Sequence, residues 1–168
     1  MTPATHTALL SAARHFLTWN LTRIERCVAV LGEDHLWTRP NDNSLSVGNQ
    51  LLHLEGNIRQ WLIAGLGGRP DRRTRATEFA AREGRSSPVL LDNLRATIAE
   101  SLTVLDELTE ADLLQERDVQ AYRHDGIFIL LHVTEHLSYH TGQIIFYTKA
   151  VLDIDLNFYG GDDLDKVT

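Results

Sequence analysis

Several features that would decide the class of this protein at once are missing from its sequence. A single cysteine, Cys27, stands among 168 residues, so no intramolecular disulfide can staple the fold. Cys27 lies in an amphipathic pattern, and we expect a small buried core residue there rather than a nucleophile. No apolar run approaches the roughly 20 residues that a membrane-spanning helix needs, and no basic stretch followed by an apolar one opens the chain. We therefore expect a cytoplasmic protein without a membrane partner.

An excess of positive charge is absent as well. Lys and Arg number 16 against 23 Asp and Glu, which gives a net charge of −7 at pH 7 and argues against a nucleic-acid partner. Acidic residues are frequent in the stretch 153–168, which we expect to form a tail. Arginines instead gather at residues 69–75, among glycines and a proline. That cluster is interpreted as a solvated loop, with an anion-binding lip over a pocket as the alternative.

What the chain does contain predicts an all-α fold in a single domain, residues 1–168. Its 43% apolar and 23% charged residues are typical of a globular protein with a substantial core. Apolar residues recur every three or four positions in four long segments, which is the period of an amphipathic helix. We expect these helices at residues 5–31, 45–65, 88–108 and 126–149. Four such helices with connections of mixed length are typical of a four-helix bundle.

Local signals predict where the helices begin and end. Gly32 is expected to end the first helix, and Ser44 is the expected N-cap of the second. Ser87 followed by Pro88 is a typical start for the third helix, and Asp125 is expected to cap the fourth. The connections are expected to be a loop at 67–87, a short turn from Thr109 through Leu114, and an extended segment or short strand pair at 115–124.

The most informative stretch is the helical segment that carries His136 and His140. Four residues of α-helix separate two side chains by about 40° in azimuth and about 6 Å in rise, so both imidazoles can bind one metal ion. His132 shares this face, but it lies about 12 Å from His140 along the axis, too far to share an ion easily. Position 137 is a leucine, so the glutamate of the HExxH zinc-protease motif is missing.

His53 on the second predicted helix is the best candidate for a third ligand. It lies in a polar stripe with apolar residues on both sides, composed of Ser46, Asn49, Gln50, His53, Asn57 and Gln60. Buried polar groups need partners, so this stripe indicates the lining of a pocket, where Asn49, Asn57 and Gln60 contact a cofactor, water or substrate. Trp61, two turns after His53, is either a packing anchor or part of the pocket wall. Hydrogen-bonded core histidines without a metal are the alternative.

Three neutral histidines leave one coordination position open, which is typical of catalytic zinc rather than of a closed structural site. Zinc is therefore the expected cofactor, with nickel, manganese and iron as alternatives, because imidazole suits several metals. The remaining histidines have no partners by spacing and are expected at the surface or in loops: His6, His15, His35 and His124.

Two stretches together resemble the DinB-like family, which includes DinB and YfiT-like proteins. Residues 43–61 have the sequence NSLSVGNQLLHLEGNIRQW, and residues 136–144 have the sequence HLSYHTGQI. The resemblance covers nearly the whole chain. It implies a four-helix bundle in an up-down-down-up arrangement, with a divalent metal held by His53, His136 and His140. Thr141 departs from the arginine that the family often has at that position.

The resemblance also implies a metal-dependent enzyme, a thiol S-transferase or a related hydrolase, acting on a low-molecular-weight thiol or another small molecule. The metal in such a site lowers the pKa of a bound thiol or water. His132 and Tyr139 are then candidates for proton transfer, and Gln143 for orienting groups around the metal. The alternatives are a non-catalytic, metal-stabilised, stress-related module and a plain helical interaction protein.

A second copy of the chain is the expected protein partner. The second and fourth helices carry apolar residues on faces away from the histidines: Leu51, Ile58, Leu62, Leu130, Leu131 and Ile145. A helix that is apolar all round needs cover from more than one direction. This pattern predicts a homodimer, and several members of the family are dimers.

Overall fold

The computed structural model describes residues 1–166, and within them it contains six α-helices, one π-helical segment and a two-stranded sheet. The helices are α1 (Pro3–Leu36), α2 (Val47–Ile58), α3 (Arg75–Ala80), α4 (Ser87–Glu107), α5 (Glu110–Leu114) and α6 (Gly126–Leu152). The π-helical segment Arg59–Leu66 continues α2, and strands β1 (Glu116–Val119) and β2 (Tyr122–Asp125) pair as an antiparallel hairpin. The helical fold class is confirmed, and the hairpin lies where the extended segment at 115–124 was expected.

The bundle consists of α1, α2 with its π-helical extension, α4 and α6. Helix α4 runs antiparallel to α1, because Arg14 near the start of α1 pairs with Asp106 near the end of α4. At the other end, Glu33 of α1 accepts hydrogen bonds from Ser87 at the start of α4. These two contacts fix the relative direction of the first and third long helices.

Helix α2 runs antiparallel to α6 on the opposite side of the bundle. Asn57 of α2 lies against His132, whereas His53, one turn earlier in α2, lies against His136, one turn later in α6. Helix α6 also packs along α1 in the parallel sense, and Tyr147 near its end donates a hydrogen bond to the Thr38 carbonyl just beyond α1. The order is therefore up-down-down-up, as the family resemblance implies.

Gly32 interrupts the first helix as predicted, but a helical turn follows it. The backbone of Gly32 has a φ of 70° and a ψ of 176°, a conformation that glycine adopts without steric cost. The turn beyond it buries Leu36 completely against the bundle. Burial of that side chain explains why α1 ends at Leu36 rather than at residue 31.

The predicted caps of the second and third helices are each displaced. Ser46, not Ser44, caps α2: its hydroxyl accepts a hydrogen bond from the Asn49 backbone, and the Asn49 side chain accepts one from the Ser46 backbone. Two side chains that satisfy each other's backbone donors outcompete a single serine two residues earlier. Helix α4 begins at Ser87 itself, after Ser86, because Glu33 binds the backbone and hydroxyl of Ser87.

The segment 67–87 is mostly loop, as predicted, but it also contains the short helix α3, which was not predicted. Glu78 of α3 is buried against α2. A single turn and a half of helix has too few residues to show an apolar period, so sequence pattern does not reveal it. By contrast, the short helix α5 has the predicted Thr109 cap, and Asp125 caps α6 through the backbone N–H of Phe128.

The core consists of apolar side chains from all four long helices, and Cys27 is completely buried in it as expected. Several residues behind the dimer prediction also belong to this core. Leu51, Ile58, Leu62 and Leu130 are at most 1% exposed within a single chain. Leu131 is 53% exposed and still points outward. Among the described residues, none of the helices combines the length and apolar character needed to cross a membrane.

Replacing Ser46 by alanine is expected to lower the free energy of unfolding by about 1–2 kcal/mol. The change removes the cap of α2 and leaves the Asn49 side chain without the hydroxyl that donates to it at 2.8 Å. Ser44→Ala is the matched control, since Ser44 bonds only within its own loop, to Asn41, and should change stability by less than about 0.5 kcal/mol. Urea denaturation measures both, and equal effects would contradict this assignment of the cap.

Candidate metal centre

Three histidines from two helices converge near the middle of the bundle. His136 and His140 lie one turn apart on α6, and His53 reaches them from α2. One ring nitrogen from each of the three lies within 4.8 Å of the others. His53 and His140 are buried and His136 is partly buried. The pairing predicted from helical spacing is therefore completed by the residue predicted as the third ligand.

Hydrogen bonding fixes the protonation of the His53 ring. Its Nδ1 lies 3.0 Å from the Oε2 atom of Glu78, a carboxylate that can only accept, and 3.1 Å from Nη2 of Arg73, which donates to the same oxygen at 2.8 Å. We assign the proton to Nδ1, which then donates to the carboxylate. The Nε2 atom then carries no proton, and its lone pair points at the Nε2 atom of His136, 2.9 Å away. Without a proton or a cation between them, two lone pairs at this distance would repel.

Glu78 is held in place by a buried guanidinium. Arg73 donates from Nε to Oε1 at 2.7 Å and from Nη2 to Oε2 at 2.8 Å, in the two-pronged geometry typical of arginine and carboxylate. The Arg73 side chain is only 2% exposed. Burial alone would raise the pKa of Glu78, but the hydrogen bonds from Arg73 and His53 and the positive charge of Arg73 lower it below its usual range. Glu78 is therefore a permanent acceptor for His53.

Asn49 attaches α3 to α2 and so places Glu78 beside His53. Its side-chain amide donates to the backbone carbonyls of Glu78 and Ala81, each at 2.8 Å. Arg39 donates to the Asn49 side-chain oxygen and to the carbonyl of Phe79. Asn49, predicted to contact a cofactor, instead has its polar atoms occupied by protein groups.

The histidines on α6 are held in their neutral form. Burial, together with the nearby His140 and His53, lowers the pKa of His136 to about 3. Burial and the nearby His53 lower the pKa of His140 to about 4, and the Gln143 side chain beside it offsets this only in part. A neutral imidazole is the form that binds metal, so protons do not compete for these two rings at neutral pH.

The three histidines fit a divalent metal in both chemistry and spacing. Ring nitrogens that share a tetrahedral zinc at about 2.0–2.1 Å lie about 3.3 Å from one another. The separations here, 2.9 Å between His53 and His136 and no more than 4.8 Å within the set, bracket that value. The Nδ1 atom of His140 is buried without a hydrogen-bond partner among the described residues. An unpartnered buried nitrogen is unfavourable unless something binds it, and a cation would.

A cavity of about 310 Å³ opens beside His53 and His136. One of its walls is a run of stacked rings from the π-helical segment, β2 and α6: Trp61, Tyr122, His124, Phe128 and His132. The closest pair is His124 on Phe128, with ring centroids 3.7 Å apart. Asn57, Arg73 and Arg75 line the rest together with Gln120. The volume suits a small molecule.

The sequence matches a family model over residues 5–159. The chain belongs to the DUF1572 family. That family is described as proteins of unknown function, and it is DinB-like, as the resemblance in the two histidine-bearing stretches indicated. No curated protein matches the chain.

Several solved structures, among them the following three, share the fold of this DUF1572 protein. The DinB-like protein YjoA of Bacillus subtilis has a TM-score of 0.66 at 21% identity, over 90% of this chain and 97% of that one. A conserved protein of Enterococcus faecalis has a TM-score of 0.72 at 18% identity, over 86% and 97%. A DinB-like protein of Bacillus cereus has a TM-score of 0.69 at 16% identity, over 88% and 93%. These likenesses concern the fold alone.

The other predicted site residues lie at different distances from the triad of His53, His136 and His140. His132, Asn57 and Trp61 line the cavity. Tyr139 is 58% exposed, and its ring packs edge-on against His140 on the outer side. Gln60 is drawn away from the cavity, because its amide bonds Arg73 and Asp71.

Sequence reasoning missed three residues of the site: Glu78, Arg73 and His124. Arg73 was assigned to a solvated loop or an anion-binding lip, but it is a buried partner of Glu78. His124 was expected in a surface position, but it stacks between Tyr122 and Phe128 in the cavity wall. The only available signal for His124 was its position immediately before the Asp125 cap of the helix that carries His132.

Gly56 of α2 tests the importance of the buried Arg73–Glu78 pair. A Cβ atom there would lie 2.1 Å from the Glu78 carboxylate and 2.9 Å from Nε of Arg73, so Gly56→Ala must displace the pair from His53. We expect it to lower the free energy of unfolding by about 1–3 kcal/mol and zinc affinity by about tenfold or more. Chemical denaturation and zinc titration with a competing chelator measure the two quantities.

Gly142→Ala is the matched control for that substitution. Gly142 also lies within a helix, but a Cβ atom there would meet nothing within 4 Å. The change should raise the free energy of unfolding by up to about 1 kcal/mol through helix propensity and leave zinc affinity unchanged. An unaltered stability and zinc affinity for Gly56→Ala would contradict the role given to the Arg73–Glu78 pair.

Proposed function

We propose that this protein is a divalent-metal-dependent enzyme, a thiol S-transferase or a related hydrolase, with His53, His136 and His140 as the metal ligands. The observation that supports the proposal is the convergence of three imidazoles, of which His53 and His136 line a 310 Å³ cavity and His140 has a buried nitrogen without a hydrogen-bond partner among the described residues. Three protein ligands facing a cavity are typical of catalytic rather than structural metal sites. Zinc suits this set best, and nickel, manganese and iron also accept imidazole.

When bound, a divalent ion at this set supplies Lewis acidity, which lowers the pKa of a thiol or water beside it. The chain's own contribution is positioning. Glu78 fixes the tautomer and direction of His53, an arrangement that recurs behind metal-binding histidines. Arg73 keeps that carboxylate ionised and immobile.

The cavity wall provides the groups that would handle protons and substrate. His132 lies over Trp61 with ring centroids 4.1 Å apart, and the Asn57 amide lies 3.5 Å from its Nε2 atom. These contacts hold His132 in the cavity wall, where it would assist proton transfer from a thiol or water. Gln143 and Tyr139 flank His140 from the other side and would hold its ring in place.

A non-catalytic role for the same metal is the alternative. The triad joins α2 to α6 near the middle of the bundle, so a bound ion would also cross-link the fold. In a module of that kind, removing the metal would unfold the protein, and the loaded protein would turn over no substrate.

The role of the triad is tested by His136→Ala with His15→Ala as its control, since His15 is exposed on α1. Loss of an outer-shell partner already costs metal affinity 10–100-fold, so loss of a ligand should cost at least about 100-fold. We expect wild type and His15→Ala to hold one equivalent of metal by elemental analysis and to conjugate thiols to electrophiles. His136→Ala should do neither.

Two results would count against this proposal. Equal metal content in wild type and His136→Ala would exclude the triad as the binding site. Stoichiometric metal without turnover of any thiol, electrophile or ester in a broad panel would favour the non-catalytic alternative.

We also propose a homodimer, formed through the outer face of α6. Leu131, Tyr139 and Phe146 are 53%, 58% and 75% exposed and recur at intervals of seven or eight residues on this helix. Large apolar side chains aligned along one helix face are typical of a face that another helix covers. Leu51, Ile58, Leu62 and Leu130 are buried within a single chain and therefore cannot form the dimer contact.

Phe146→Glu should convert the dimer to a monomer, because it places a charge within the proposed contact. Sedimentation at micromolar concentration measures the state, and Phe16→Glu, an equally apolar exposed site on α1, is the control. A wild-type protein that sediments as a monomer would refute the proposal.

A further inference from the structure

A second cavity, of about 380 Å³, lies on the far side of α6 from the metal ligands. It is bounded by α1, by α6 and by the chain segment that follows α6. The α6 residues in its wall include Ser138, Gly142 and Lys149, which point away from His136 and His140 around the helix axis. This cavity is therefore separate from the one beside the histidines.

The side chain of Arg23 dominates the interior of this second cavity. It is only 7% exposed. Its guanidinium carbon lies 3.1 Å above the ring of Trp19, and the rings of Phe158 and Tyr159 lie 5.1 and 5.2 Å away. We call these four side chains the Arg23 cage. Aromatic faces attract a cation, which explains how the side chain is held.

The positive charge of Arg23 has no negative partner within residues 1–166. None of the ion pairs of the described chain includes it, and its Nη1 atom is buried without a hydrogen-bond partner. Arg73, whose side chain is also buried, donates hydrogen bonds to both oxygens of the Glu78 carboxylate. A buried charge without a partner is strongly unfavourable. Arg23 therefore presents unused donors in the wall of an open cavity.

The acidic residue in the cavity wall forms no ion pair with Arg23. Asp155 lines the cavity, but its Oδ1 atom accepts the backbone N–H of Asn157 at 2.8 Å. Lys149 lines the same wall and adds a second positive charge. With Arg23 and Lys149 positive and Asp155 negative, the polar side of the cavity carries one net positive charge, while Ile145 and the rings of the Arg23 cage make the other side apolar.

From this arrangement we infer a second binding site, for a small molecule that carries a carboxylate or phosphate group on a flat apolar body. The face of the guanidinium is covered by Trp19, so its N–H groups remain free at the edge, where two parallel bonds to an oxyanion form. Lys149 strengthens the attraction, and the rings of the cage pack against the apolar part. A volume of 380 Å³ admits such a molecule.

The test measures thermal stability and binding heat with two probes, benzoate and inorganic phosphate, against chloride at constant ionic strength. Metal-loaded, desalted protein is used, and the Arg23 variant below separates this cavity from anion binding at the histidine triad, which that variant leaves intact. Wild type should be stabilised saturably by at least one probe. Benzoate alone indicates a carboxylate with an aromatic body, and phosphate alone indicates a phosphate ligand; either supports the inference.

Arg23→Met is the decisive variant, because methionine fills similar space without a charge. It should weaken binding at least about tenfold, while the unliganded variant should melt no lower than wild type, since an unpaired buried charge is removed. Arg14→Met, on the same helix but exposed and paired with Asp106, should bind like wild type. If Arg23→Met does not fold, Lys149→Met, at an exposed position, is measured instead. It should bind the probes more weakly than wild type does.

Three results would overturn the inference. The first is no stabilisation of wild type by either probe. The second is equal binding by wild type and Arg23→Met, or by Lys149→Met where that variant decides. The third is conversion of a dimer to a monomer by Arg23→Met, which would show that a carboxylate of a second copy occupies the cavity.

Discussion

The hydrogen bond from His53 to Glu78 is the interaction on which the candidate metal centre depends. It holds the proton of His53 on Nδ1 and so turns Nε2 toward the histidines of α6. That single bond requires a buried carboxylate, the carboxylate requires the guanidinium of Arg73, and both require α3 to be attached to α2 through Asn49. The short helix α3 and the cap of α2 are thus parts of the centre.

The two buried arginines, Arg73 and Arg23, differ in whether a negative charge lies beside them. Arg73 is neutralised by Glu78 inside the protein, and its function is to position another residue. Arg23 is surrounded by rings and lacks an acidic partner among residues 1–166. Desolvation costs both side chains a great deal, and only for Arg73 does the described chain itself supply a negative charge. This contrast is the basis for assigning an external ligand to one and not to the other.

The parts of the centre that sequence predicted are those that local periodicity determines. His136 and His140 share a helix, so their proximity follows from the rise and rotation of an α-helix. His53 was found through the polar stripe around it, which marked a face of α2 that does not belong to a dry core. The four-helix bundle followed from the same apolar periods, and its up-down-down-up order came from the family resemblance.

The parts that sequence did not predict depend on contacts between distant segments. Glu78 lies 25 residues after His53, on a helix too short to have a period, and Arg73 precedes it in a stretch whose glycines and proline indicate a loop. His124 points into the cavity because of how a four-residue strand pairs, which composition does not determine. Asn49 and Gln60 belong to the polar stripe, but their side-chain amides form hydrogen bonds with other parts of the chain, to Glu78 and Arg73 respectively.

X-ray absorption at the zinc edge of the loaded protein tests the central claim most directly. We expect three imidazole nitrogens at about 2.0–2.1 Å and one exchangeable oxygen ligand. A thiol added to the sample should replace that fourth ligand with sulfur at about 2.3 Å. A closed shell of four protein ligands, or a spectrum without imidazole scattering, would contradict the account.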